Sequence, residues 1–159
     1  MDFGSAELVA RQRRSAGPVY LFVYGTLQPA ADTAMGRWVA ERSEWVAPAS
    51  APGRIVAIAS AKGWYPAMLS GRADERCSGT LVRVSPAPGE RALLDRYEGR
   101  EFRRGVLRVR TQEGGVYAAG VYLWRGNPPA GAVAVRGGDF LVWLRQTRRS
   151  PFDALRNRG

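Results

Sequence analysis

The clearest patterned stretch is Val19 to Tyr24, VYLFVY, an unbroken run of β-branched, aromatic and aliphatic residues. Such a run predicts a buried strand. Gly25 stops it, Thr26-Leu27-Gln28-Pro29 reads as a loop, and a short helix is expected from Asp32 as N-cap to about Arg42. Residues 44–59 read as extended, broken at Pro48 and Pro52-Gly53. Within them Ile55, Ala57 and Ala59 alternate with Val56 and Ile58, so both faces of that strand should be covered. Gly63 to Leu69 is a turn entering a short strand, and Pro66 biases Tyr65 towards extended geometry. Residues 77–84 form another strand. Ser85-Pro86 has the form of a helix start, with Ser as N-cap and Pro at the first position. That helix should run to Tyr97 or Glu98, with Leu93, Leu94 and Tyr97 on one apolar face and Gly99 as its left-handed stop. Two long strands, 102–111 and 116–124, follow around a turn at Glu113-Gly114-Gly115. Asp139 then caps a last helix, about 140–148, whose Phe140, Val142, Trp143 and Leu144 are apolar.

The order is strand, helix, several strands, helix, strands, helix. It lacks the regular alternation of a doubly wound sheet. The predicted class is α+β: a small mixed, mostly antiparallel β-barrel with flanking helices. A length of 159 residues suits one domain. Residues 1–18, polar and ending in Ala16-Gly17-Pro18, read as a flexible leader. Residues 19–148 form the domain and 149–159 a basic tail, loose beyond Ser150-Pro151. No apolar run reaches the length of a membrane span or of a signal-peptide core, so a soluble, cytoplasmic protein without a membrane partner is expected.

Charge complicates that picture. The formal net charge is +10, and all but Lys62 of the 24 basic residues are Arg. Affinity for nucleic acid or other polyanions is one reading, and a GC-rich genome that writes Arg for Lys is the other. The basic residues are spread along the chain, no nucleic-acid-binding signature accompanies them, and a nucleic-acid partner is not expected. Their densest group, Arg145, Arg148, Arg149, Arg156 and Arg158, falls in and just before the C-terminal tail. The oligomeric state is not set by the sequence.

The chain has no His and one cysteine, Cys77. Disulfides within the chain, Ser-His-Asp and Cys-His catalysis and the common zinc sites are thereby excluded. Acid–base chemistry falls to Asp, Glu, Tyr, Lys62 or Cys77. There is no phosphate-binding P-loop, no dinucleotide fingerprint and no nucleophile elbow.

Four segments together resemble one family. Phe22-Val23-Tyr24-Gly25-Thr26-Leu27 is similar to the first-strand signature of the gamma-glutamylcyclotransferase superfamily, the AIG2-like group included. Tyr65-Pro66-Ala67-Met68 resembles its aromatic-proline segment, and Leu94-Asp95-Arg96-Tyr97-Glu98-Gly99 the helix end that carries its catalytic glutamate. Phe102-Arg103-Arg104 resembles the block that follows, although many relatives have Tyr where this chain has Phe102. The resemblance covers roughly residues 19–125. It implies release of 5-oxoproline from a gamma-glutamyl compound, without metal or cofactor, by attack of the substrate's own α-amine on its γ-carbonyl. Glu98 would be the general base and then acid. Tyr24, Gly25, Thr26 and Leu27 would bind the glutamyl part, with Tyr65 and Phe102 as further substrate-binding walls. The rival reading keeps the fold and drops the catalysis, leaving a small-molecule binding or accessory domain. Asp95 reads as a helix-end partner and Cys77 as a small core residue.

Overall fold

Why the first apolar run is a strand is visible in its neighbours. In the computed structural model, which describes residues 19–72 and 74–153, β1 (Val19–Val23) lies between two other strands and buries Phe22 and Val23. The strands are β2 (Ser43–Pro52), β3 (Arg54–Ser60), β4 (Gly63–Leu69), β5 (Arg76–Val84), β6 (Phe102–Thr111), β7 (Val116–Trp124) and β8 (Val133–Ala134). Three α-helices accompany them: α1 (Ala34–Arg42), α2 (Glu90–Glu98) and α3 (Phe140–Thr147).

Five strands close a barrel in the order β1-β5-β2-β6-β7. All its pairings are antiparallel except the closing one, where Leu21 of β1 meets Gly120 of β7 in parallel. That makes the barrel mixed, as the order of predicted elements implies. Small side chains let so narrow a barrel close: Ala49, Ala51, Cys77 and Ala119 are buried beside Phe22, Leu81, Val109 and Val121. A second sheet, β4-β3-β8, packs outside it. Its central strand is covered on both faces, as its continuous apolar run predicts. Ile55 and Ala57 join the core that contains α3, while Val56 and Ile58 join the core beneath α1 and α2.

Several boundaries differ from the sequence expectation. Thr33, not Asp32, caps α1: its hydroxyl accepts from the Gly36 amide at 3.0 Å, and Asp32 takes a left-handed φ of 54°. Helix α2 begins at Glu90 rather than at Ser85-Pro86. Pro88 offers no amide and disfavours helical geometry at Ala87. The Glu90 carboxylate instead accepts from the Ala87 amide at 2.6 Å, and the Ser85 hydroxyl donates to Glu44. The extended stretch 44–59 is two strands, divided at Gly53, whose φ is 149°. The last helix starts as expected, with Asp139 accepting from the Val142 amide at 3.1 Å. Strand β8 has no sequence signal beyond two apolar residues.

Residues 150–153 are not loose. They run alongside β4, with Trp64 and Pro151 bridged in parallel. The Trp64 amide donates to the Ser150 carbonyl (2.9 Å), the Phe152 amide to the Trp64 carbonyl (2.7 Å) and the Asp153 amide to the Lys62 carbonyl (3.1 Å). Gly63 permits the contact, because a Cβ there would stand 2.4 Å from the Pro151 carbonyl oxygen. The leader 1–18 and residues 154–159 of the tail lie outside the described residues. Among the described residues no helix is long and apolar enough to cross a membrane.

Candidate functional site

The loop after β1 is bent back on itself and pinned. The Gln28 amide donates to the Gly25 carbonyl at 3.0 Å. The Thr33 hydroxyl donates to the Thr26 carbonyl at 2.6 Å, so the cap of α1 also fixes the loop. Gly25 lies against Pro66 of β4. A Cβ at Gly25 would come within 2.2 Å of Pro66 Cγ, so only glycine lets the loop and the second sheet meet. Among the described residues, the amides of Gly25, Thr26 and Leu27 donate to no protein acceptor.

This loop forms one wall of a cavity of about 240 Å³. Its deep surface is apolar and aromatic, with Phe22, Leu27, Phe102 and Tyr122 buried. Half-buried Tyr65, Tyr97 and Phe152, with exposed Glu101, stand where it meets solvent. Their rings contact one another: Tyr65 and Phe152 lie 6.0 Å apart, Tyr97 and Phe152 6.1 Å, and Tyr65 and Phe102 6.5 Å.

Glu98 ends α2 and lines this cavity. No hydrogen bond joins its carboxyl to any described residue. Burial pushes its pKa from 4.5 up to about 8, because the ionised form loses water and gains no cationic partner. The surrounding phenols feel the same environment. Burial, then the charge of Glu98, raises Tyr24, and burial pushes Tyr97 up to about 12. Tyr65 is raised by burial and then by Glu101.

Tyr24 lines the cavity, but its hydroxyl faces protein. It donates to the Tyr122 carbonyl of β7 at 2.5 Å and accepts from the Met68 amide of β4 at 3.2 Å, tying the barrel to the second sheet. Thr26 reaches across to α2, its hydroxyl 3.3 Å from that of Tyr97. Asp95 faces away from the cavity as a helix-end partner, accepting from Arg104 and from the Tyr122 hydroxyl (2.8 Å). Cys77 is buried in the barrel, its thiol pushed up to about 12. Among the described residues no cluster of acidic, Cys or His side chains is arranged to hold a metal.

All seven residues singled out in the sequence, Tyr24, Gly25, Thr26, Leu27, Tyr65, Glu98 and Phe102, line this one cavity. Sequence reasoning missed Tyr97, Glu101, Tyr122 and Phe152. Tyr97 reads equally well as the apolar face of its helix, and Tyr122 as one position of a strand. Phe152 carries no local signal, because only the docking of residues 150–153 brings it here.

The family model for gamma-glutamyl cyclotransferase, AIG2-like proteins matches residues 21–143. No curated protein matches the sequence. Among solved structures, the Bacillus subtilis protein YkqA superposes with a TM-score of 0.62 at 17% identity, over 82% of this chain and 42% of YkqA. The chain therefore spans less than half of that protein. A structure named gamma-glutamyl cyclotransferase matches with a TM-score of 0.55 at 14% identity, over 88% of this chain and 92% of the other. A mouse AIG2-like protein matches with a TM-score of 0.55 at 18% identity, over 71% and 81% of the two chains.

Proposed function

Because the chain belongs to the gamma-glutamyl cyclotransferase, AIG2-like family, we propose that it releases 5-oxoproline from a gamma-glutamyl amino acid, peptide or amine. The observation that carries the reading is the Glu98 carboxyl, set in the wall of an apolar cavity with a pKa near 8.

A carboxyl that ionises near neutrality suits a proton shuttle. The substrate's α-amine attacks its own γ-carbonyl while Glu98 takes a proton from the attacking nitrogen. The new C–N bond closes a five-membered ring through a tetrahedral intermediate. Glu98 then returns the proton to the departing nitrogen, the old C–N bond breaks, and the amine leaves beside 5-oxoproline. Because the attack is intramolecular, the protein need only hold the glutamyl chain folded back, and effective molarity does the rest. The amides of Gly25, Thr26 and Leu27 are available to the substrate carboxylate or the developing oxyanion. The rings of Tyr65, Tyr97 and Phe152 border the opening through which the leaving group projects.

The test is 5-oxoproline release from a panel of gamma-glutamyl amino acids, peptides and amines by the wild type and by Glu98→Gln. Turnover by the wild type with at least ~10²-fold loss in the variant is the expected result. Equal rates in the two proteins would remove Glu98 from the reaction. No release from any substrate by the folded wild type would favour a binding domain of the same fold.

A further inference from the structure

A second and larger recess shares Phe102 and Tyr122 with the cavity. Its volume is about 570 Å³, and it sits where α2 ends and β6 begins. Arg96, Arg100, Arg103, Arg104 and Arg125 line it, with Asp95 as the one carboxylate. Asp95 is already engaged, accepting from both Arg104 and the Tyr122 hydroxyl. Arg125 donates from Nε to the Phe102 carbonyl at 3.2 Å, which fixes its side chain without neutralising it. Among the described residues Arg96, Arg100 and Arg103 make no ion pair, although Arg104 pairs with Asp95 in the recess and other pairs occur elsewhere on the surface.

Arg96, Arg100, Arg103 and Arg125 bring four positive charges without carboxylate partners to the lining of one recess, where they repel one another. Their common property is the planar fork of donors that matches the oxygens of phosphate groups. We propose that this arginine-lined recess is a binding site for a small anion carrying several phosphate groups. Phe102 and Tyr122 complete the lining of this open recess, whose volume of about 570 Å³ suits a compact ligand better than a duplex. The site is independent of the cyclotransferase reading and requires no turnover.

The probe is inorganic tripolyphosphate, titrated calorimetrically into the full chain at low salt. Binding is expected, weakening as salt rises because the contacts are ionic. Arg100→Ala with Arg103→Ala should weaken it at least tenfold. Both residues are exposed, so the fold should survive their loss. Arg108→Ala with Arg110→Ala removes the same charge from exposed positions towards the other end of β6, outside the recess, and should change affinity less than twofold. Absence of binding would overturn the proposal. So would equal weakening by the two pairs, which would assign the affinity to net charge rather than to this site.

Discussion

Glu98 ionises about as readily as a weak amine rather than a surface carboxylate, and this has a cost for the fold. Between pH 4.5 and about 8 the folded protein holds a proton that the unfolded chain has released. The contribution of Glu98 to stability is therefore most favourable below that window and falls as pH rises through it. Every tenfold gain in the carboxyl's affinity for its proton corresponds to about 1.4 kcal/mol, and contact with cavity water reduces the total. Glu98→Gln removes the penalty. Its melting temperature should match that of the wild type near pH 4 and exceed it by at least about 3 °C near pH 9. A constant difference across that range would mean that the carboxyl ionises like an exposed one. The sequence places Glu98 in the last turn of a helix, where the dipole disfavours negative charge. It does not show that the residue faces a cavity, because that depends on β1, β4 and β6 converging from distant positions in the chain.

At the scale of elements, local chemistry was legible and its exact position less so. The N-cap of α3, the turn at Glu113–Gly115 and the paired strands β6 and β7 follow from turn residues and apolar runs. The start of α2 does not, because Ser85-Pro86 and Glu90 compete to begin it and Pro88 decides between them. The segment 150–153 was illegible for another reason. Its order comes from backbone pairing with Trp64, and its own residues advertise no strand. The guanidinium of Arg149, 4.9 Å from the Trp64 ring and 5.1 Å from that of Trp143, adds to the docking. Through Phe152 this segment supplies one border of the cavity. Phe152→Ala should raise KM several-fold for substrates with bulky leaving groups and leave kcat within about twofold, since losing one aromatic contact is worth about 1 kcal/mol. A fall in kcat at unchanged KM would place Phe152 outside the binding wall.

The molecule as a whole is a barrel and a smaller sheet that share two apolar cores, with most of its charge left on the surface. Its class, a mixed and mostly antiparallel barrel with flanking helices, was legible from the order of elements, because few helices interrupt consecutive strands. The pairing order was not, since closure depends on the single parallel contact between β1 and β7. With a net charge of +10, self-repulsion opposes compaction over distances that salt screens. The melting temperature should therefore rise by a few degrees as sodium chloride is raised from about 20 to about 300 mM. A fall would show that ion pairs such as Arg42–Glu90 outweigh the repulsion.

The Tyr24 hydroxyl is held by a carbonyl and an amide of the main chain, one from each sheet. Such partners persist whatever side chains their residues carry. Had the contacts been two side chains, the trio could drift together, each change absorbed by another. As it stands, no exchange elsewhere in the chain can take over if the phenol is lost. As sequences diverge around this cavity, position 24 should stay fixed while the rings that border its opening are free to change with the substrate.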